Sequence, residues 1–195
     1  MNSISDAVSK YVGMRIKHLA DTLSHAGTKA ELAELRRGIG KKPGELPKLW
    51  GSFLADLPEE LESDSKDITY AEWAVYTALT LYALHQQGNS ESVNSGDAEY
   101  RLGSAVRKLV RSQDDEERVM RRFSAMATSS DMVELSHHLR SMIQLLKAGN
   151  VRLDYADLAK DLYRYQYADS IANVRLKWGR DYYREDRRKS QESNI

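Results

Sequence analysis

The chain of 195 residues contains no cysteine. Disulfides, thiolate zinc sites and cysteine nucleophiles are thereby excluded, and a reducing compartment fits the composition. Proline is scarce: Pro43, Pro47 and Pro58 are the only three, all in the first third. The rest of the chain is free to run as helices, without the ring that removes an N–H and breaks the ladder. Alternating apolar and polar runs, the mark of half-buried strands, are rare. No apolar run approaches the ~20 residues needed to cross a bilayer. No basic segment followed by an apolar core opens the sequence, so no signal peptide is expected, and the expected location is the cytoplasm. An excess of one charge is also missing. The 29 basic residues balance 29 acidic ones, for a formal net charge of zero, which taken alone argues against a general binder of polyanions.

What is present is helix-forming residues: Ala, Leu, Arg, Glu, Lys and Gln dominate. About nine helices are expected, over 5–23, 29–37, 46–57, 69–87, 98–112, 114–128, 131–147 and 154–189, the last broken near Ala168. The stretch 69–87 carries Trp73, Val75, Tyr76, Leu79, Leu81, Tyr82 and Leu84 around most of its circumference. A helix apolar nearly all round is a buried one, so it is expected to be central, with its aromatics serving as core. Asp114 and Asp131 suit N-caps, and Asp115, Glu116 and Glu117 suit a helix N-terminal dipole. The polar stretch 88–97, GNSESVNSGD, reads as a linker. The expected fold is all-α, two helical bundles joined by a short linker, an N-terminal bundle over 1–90 and a C-terminal bundle with a basic surface over 91–195.

Charge is unevenly distributed. Acids concentrate over 56–72, bases over 36–42, 101–122 and 175–189. On 98–112, Leu102, Ala105, Val106 and Leu109 share one side, with Arg101, Arg107, Lys108 and Arg111 on the other. On 114–128, Val119, Met120, Phe123 and Met126 form the apolar stripe, opposite Arg118, Arg121 and Arg122. On the last helix Ile171, Val174, Trp178 and Tyr182 oppose Lys177, Arg180, Arg184, Arg187 and Arg188. Packed together, three such helices could present a cationic strip that tracks a phosphate backbone with little sequence reading. The guanidinium fork suits phosphate. Solvated polar faces, or faces docked on acidic protein partners, account for the same pattern. The second of these is the alternative reading: a protein-only helical adaptor.

No catalytic constellation is found. His137 and His138 are adjacent, point to different sides of a helix, and cannot both ligate one metal as an i,i+4 pair can. No carboxylate near His18 or His85 makes a convincing ligand set with it, and Asp154 and Asp157 are accounted for by capping. No glycine-rich phosphate loop follows a strand. A metal-dependent nuclease would need a cluster that is not there, so no enzyme, metal or cofactor is expected.

A series of motifs points further. Leu35-Arg36-Arg37 precedes a Lys/Pro-containing turn and Trp50. Arg101-Leu102-Gly103-Ser104-Ala105-Val106 is followed by Glu117-Arg118 and Arg121-Arg122-Phe123. Next come Asp131-Met132-Val133-Glu134-Leu135, His138-Leu139-Arg140, and Leu153-Asp154-Tyr155-Ala156-Asp157-Leu158-Ala159 before Asp161-Leu162. Val174-Arg175-Leu176-Lys177-Trp178-Gly179-Arg180-Asp181-Tyr182-Tyr183 closes the series. In order and spacing, over about residues 30–185, this resembles the CasB family, the small subunit of Cascade, the type I-E CRISPR surveillance complex. The resemblance implies two helical bundles and a pair of copies in the belly of the complex. It implies contact with the crRNA-bearing backbone subunits and the large subunit. It also implies a hold on target DNA in the R-loop, particularly the displaced strand, without cleavage. Carried over by position, the contacts it implies are Arg36, Arg37, Arg121, Arg122 and Arg140. Many members have a basic residue after the Leu-Gly of the second motif, where this chain has Ser104. Arg107 or Lys108, one turn on, could take its place.

Overall fold

The computed structural model describes residues 3–62 and 67–192, with side chains through Glu185 and that of Arg187. Among the described residues the fold is all-α: α1 (Ile4–Asp21), α2 (Ala26–Arg37), α3 (Trp50–Phe53), α4 (Tyr70–Gln86), α5 (Leu102–Lys108), α6 (Gln113–Ala127), α7 (Met132–Ala148), α8 (Tyr155–Tyr165) and α9 (Ala168–Glu192). Three 3-10 turns intervene, at Pro47–Leu49, Glu59–Leu61 and Ala98–Tyr100. Residues 63–66 of the acidic stretch and the side chain of Arg188 lie outside the described residues. No described helix is long and apolar enough to cross a membrane.

The centre is α4, touched by α1, α2, α7 and α8. It starts in a capping box: the Glu72 N–H donates to Thr69 Oγ1 at 3.0 Å, and the Thr69 N–H donates to Glu72 Oε2 at 2.7 Å. The start satisfies its own orphan donors, so an apolar helix can begin near the surface and run inward. Gly88, at φ +86°, turns the chain out beyond it. α8 packs against α1 and α4, and α5 packs against α9.

The α5–α9 crossing depends on Gly103. A Cβ there would land on the Trp178 carbonyl oxygen and 2.8 Å from the Tyr182 nitrogen. Backbone meets backbone at this point, which only glycine permits. Its neighbour Ser104 is buried and donates to the Asp181 carbonyl at 3.2 Å. Ser104 is thus a packing residue of the crossing and is turned away from solvent.

Two expected helices are broken. The stretch 98–112 becomes a 3-10 turn, an extended Arg101 and the seven-residue α5. The Tyr100 carbonyl accepts from the Asp154 N–H at 2.8 Å, tying this point to the start of α8. The stretch 46–57 becomes a 3-10 turn and the one-turn α3. There the Tyr11 hydroxyl of α1 donates to the Phe53 and Ala55 carbonyls at 3.2 and 2.6 Å, and Asp56 takes φ +59°. The expected break near Ala168 is present between α8 and α9.

The polar stretch 88–97 is highly organised. Gln86 Nε2 donates to the Asn89 and Glu91 carbonyls, and its Oε1 accepts from the Val93 N–H at 3.0 Å. Asn94 pairs in parallel with Leu153, and its Oδ1 accepts from the Tyr155 N–H at 3.0 Å. Buried side chains from both sides of this stretch form one continuous core.

Candidate nucleic-acid interface

The cations singled out in the sequence divide by what they touch. Lys177 on α9 reaches across to α8, with Nζ 2.7 Å from Asp157 and 2.7 and 2.8 Å from the two oxygens of Asp161. Asp161 is buried and also accepts from Trp178 Nε1 at 2.7 Å. Burial pushes its carboxyl pKa up to about 6, against the pull of the Lys177 charge. Arg101 lies 3.6 Å from the same Asp157. Lys108 bridges Glu99 and the buried Glu185, each at 3.1 Å, with its ammonium over the Tyr100 ring. Arg107 sits over the Tyr182 ring and donates to the Val110 carbonyl. Three more cations hold a local carboxylate three residues back: Arg37 with Glu34, Arg118 with Asp115, and Arg184 with Asp181.

The rest are different. Arg111, Arg121, Arg122, Arg140 and Arg180 are exposed and Arg36 is half-buried, and among the described residues none of them forms an ion pair. Arg121 and Arg122 lie midway along α6, whose opposite face buries Val119, Phe123 and Met126. Phe123 stacks on Tyr182 with ring centroids 5.7 Å apart, fixing α6 against α9. Acids are nearby: Asp114, Glu116, Glu117 and Arg121 line one shallow groove of α6. Arg122 lies on the other flank, one turn beyond Arg118.

The structure also gathers cations that charge patterning did not connect. Lys147, near the end of α7, has its pKa lowered by burial and by the charge of Arg36 at the end of α2. Its Nζ donates to Gln87 Oε1 at 3.3 Å. Lys29 and Arg36 line one depression beside Gln86–Asn89, and Lys147 and Arg152 line a second that shares Asn89. Arg140 stands two turns before Lys147 on the same side of α7. Arg36 and Lys147 lie in the last turns of α2 and α7, where cations also offset the helix dipoles. The buried His85 contacts the Tyr155 hydroxyl at 3.1 Å.

The described residues contain no group of three or more His, Asp or Glu side chains placed to hold a metal ion.

Comparison with known proteins gives a consistent picture. The family described as CRISPR-associated protein Cse2 matches residues 31–183. The crystal structure of CasB from Thermobifida fusca is 32% identical, covers 90% of this chain and 97% of its own, and superposes with a TM-score of 0.76. CasB from M. ruber is 25% identical over 92% of this chain and 98% of its own, at a TM-score of 0.68. A Cse2-family protein from Thermus thermophilus, at 22% identity, 88% and 97% coverage and a TM-score of 0.67, shares the fold. No curated protein matches. With most of its length matched by the family and its whole architecture shared with a CasB at this identity, the chain belongs to the CRISPR-associated Cse2 family.

Proposed function

We propose that the chain is the non-catalytic small subunit of the type I-E CRISPR surveillance complex, Cascade, and that it holds target DNA in the R-loop through sequence-independent contacts to phosphate. The observation that carries this reading is that Arg111, Arg121, Arg122, Arg140 and Arg180, with Arg36, form no ion pair among the described residues, whereas Arg37, Arg101, Lys108, Arg118, Lys177 and Arg184 do. Base pairing with the crRNA supplies specificity, so the subunit needs only backbone contacts. Strand exchange in an R-loop is nearly balanced in energy, and a few phosphate contacts tip it. The partners on this reading are the crRNA, the displaced strand of the target, the backbone and large subunits, and a second copy of the chain.

The test is target binding by the reconstituted complex. Arg121→Glu with Arg122→Glu is expected to weaken binding to target DNA and flatten its salt dependence, with the complex still assembling. Unchanged target affinity in such complexes sinks the proposal.

The protein-only adaptor remains the second reading, favoured by one specific observation. Lys177, Arg101, Lys108 and Arg184 already hold carboxylates of this chain and so contribute no free charge to a strip across α5 and α9. On that reading the subunit binds its partner subunits without any nucleic-acid affinity of its own, and charge reversal on the basic faces weakens assembly of the complex.

A further inference from the structure

Beyond the phosphate-tracking surface lies a cleft of another character. It opens between the 38–45 loop, α4 and the first turn of α7, and encloses about 130 Å³. Ile39, Trp73, Thr77, Thr80, Leu81 and Val133 line it. Lys41 and Lys42, both exposed, line it from the loop side.

The walls are fixed in advance. The Tyr76 hydroxyl donates to the Gly38 carbonyl at 2.9 Å. A Cβ on Gly38 would lie 2.6 Å from that hydroxyl, so the loop sits directly on α4. Gly40 and Gly44 turn the loop at φ +81° and +91°, and Glu45 Oε1 accepts from the Lys42 N–H at 3.0 Å. α4 is buried along nearly its whole length, yet Trp73 is only partly buried and lines the cleft. Val133 is 55% exposed at the far wall.

An apolar, aromatic-edged slot beside cations is the combination that single-stranded nucleic acid requires, with a π-face for a base and positive charge for the adjoining phosphate. The charge complements such an occupant. Lys42 has no ion-pair partner among the described residues, and Lys41 is 3.9 Å from Glu45 with both side chains half exposed. We infer that this cleft is a subsite for one unstacked base of a single strand, with Lys42 and Lys41 meeting its phosphate. The inference rests on the nucleic-acid reading above and deepens it, adding a base-holding element to a surface otherwise built for phosphate.

The experiment uses the full chain labelled with 5-fluorotryptophan and observed by fluorine NMR. The chain has three tryptophans, of which Trp50 is exposed and Trp178 buried, and Trp50→Phe assigns the spectrum. A thymidine oligonucleotide, an abasic oligonucleotide of equal length and inorganic phosphate are titrated in turn at low salt. The Trp73 resonance is expected to move with the thymidine oligonucleotide alone, which binds at least about fivefold more tightly than the abasic strand, the low end of what stacking one base contributes. Val133→Trp, at an exposed position that leaves the core intact, is expected to fill the slot and erase that difference. Lys42→Glu is expected to weaken both strands. Equal affinity for the two strands, with Trp73 unmoved, overturns the subsite and leaves the phosphate surface standing. No binding of either strand at low salt overturns both. Movement of Trp73 only when other subunits are added without nucleic acid overturns the subsite in favour of a protein side chain as occupant.

Discussion

Lys177 and Arg121 occupy equivalent places in the amino-acid pattern. Each lies on the polar side of an amphipathic helix, opposite an aromatic-containing stripe. Their surroundings differ completely. Lys177 is clamped between two carboxylates of α8, one of them fully buried. Arg121 is exposed with no ion pair among the described residues. The comparison teaches that a cationic face is ambiguous until the facing helix is known. Where α8 supplies Asp157 and Asp161, Lys177 of α9 holds the fold together. Where no carboxylate pairs with Arg121 and Arg122 of α6, among the described residues, these cations are available to a ligand.

The largest expected break in this comparison is at the clamp. Lys177→Ala leaves Asp161 buried with Trp178 as its remaining donor. An uncompensated buried charge costs about 3–5 kcal/mol, so the urea midpoint should fall steeply. Lys177→Met with Asp161→Asn removes both charges and keeps an acceptor for Trp178, and most of the stability should return. Truncating Arg121 to Ala should change stability by less than about 0.5 kcal/mol, as for an exposed residue without a structural role. Equal losses for Lys177→Ala and Arg121→Ala would erase the distinction.

Two glycines sharpen it next. Gly103→Ala drives a methyl into the α9 backbone and should cost about 3 kcal/mol, at the upper end of overpacking. Gly179, on α9 itself, has nothing within 4 Å of a Cβ, and Gly179→Ala should stabilise by about 0.5–1 kcal/mol through helix propensity. Thermal unfolding of the two variants should therefore shift in opposite directions.

A smaller effect separates the ends of α4 by pH. Burial, aided by the charge of Lys147, lowers the His85 pKa to about 4. The unfolded chain takes up this proton near pH 6.5 while the folded chain does not. Stability from this group is therefore fully present above pH 6.5 and lost as pH falls towards 4, by at most about 3 kcal/mol. The Thr69–Glu72 end of α4 holds no histidine. His85→Gln should flatten the unfolding free energy over that window, and a slope equal to that of the parent chain would remove His85 as its source.

Much of the fold was legible from residue patterns. The all-round apolarity of α4, the Asp131 cap and the break before Ala168 are local properties, and local chemistry determines them. The splitting of 98–112 and 46–57 was not legible, because the groups responsible, Asp154 and Tyr11, lie more than forty residues away in sequence. The Leu-Gly-Ser motif read as a family signature, and its physical meaning, a backbone crossing with α9, exists only in three dimensions. The site was legible in part for the same reason. Helical spacing identifies which residues share a face, and so placed the α6 arginines opposite the buried stripe. It cannot identify which acids face them, which is why the Lys177 clamp was read as surface. Nor can it bring the charge of Arg36 near enough to act on Lys147, a proximity made by the packing of α2 and α7 on α4.

The finest comparison is among arginines that look alike even in the structure. Arg118 and Arg184 each hold a carboxylate three residues back, whereas Arg122 and Arg140 do not. Such exposed pairs contribute little, ~0–1 kcal/mol, so glutamine at any of the four positions should leave the melting temperature nearly unchanged. Nucleic-acid binding separates them. Each phosphate contact adds about 0.7–0.9 to the slope of log affinity against log salt. Arg122→Gln and Arg140→Gln should each lower that slope by about one contact. Arg118→Gln and Arg184→Gln should lower it less, because those arginines must first leave Asp115 and Asp181. If all four lower the slope equally, the local carboxylates do not tie up their arginines, and the division between structural and available cations belongs to buried pairs alone.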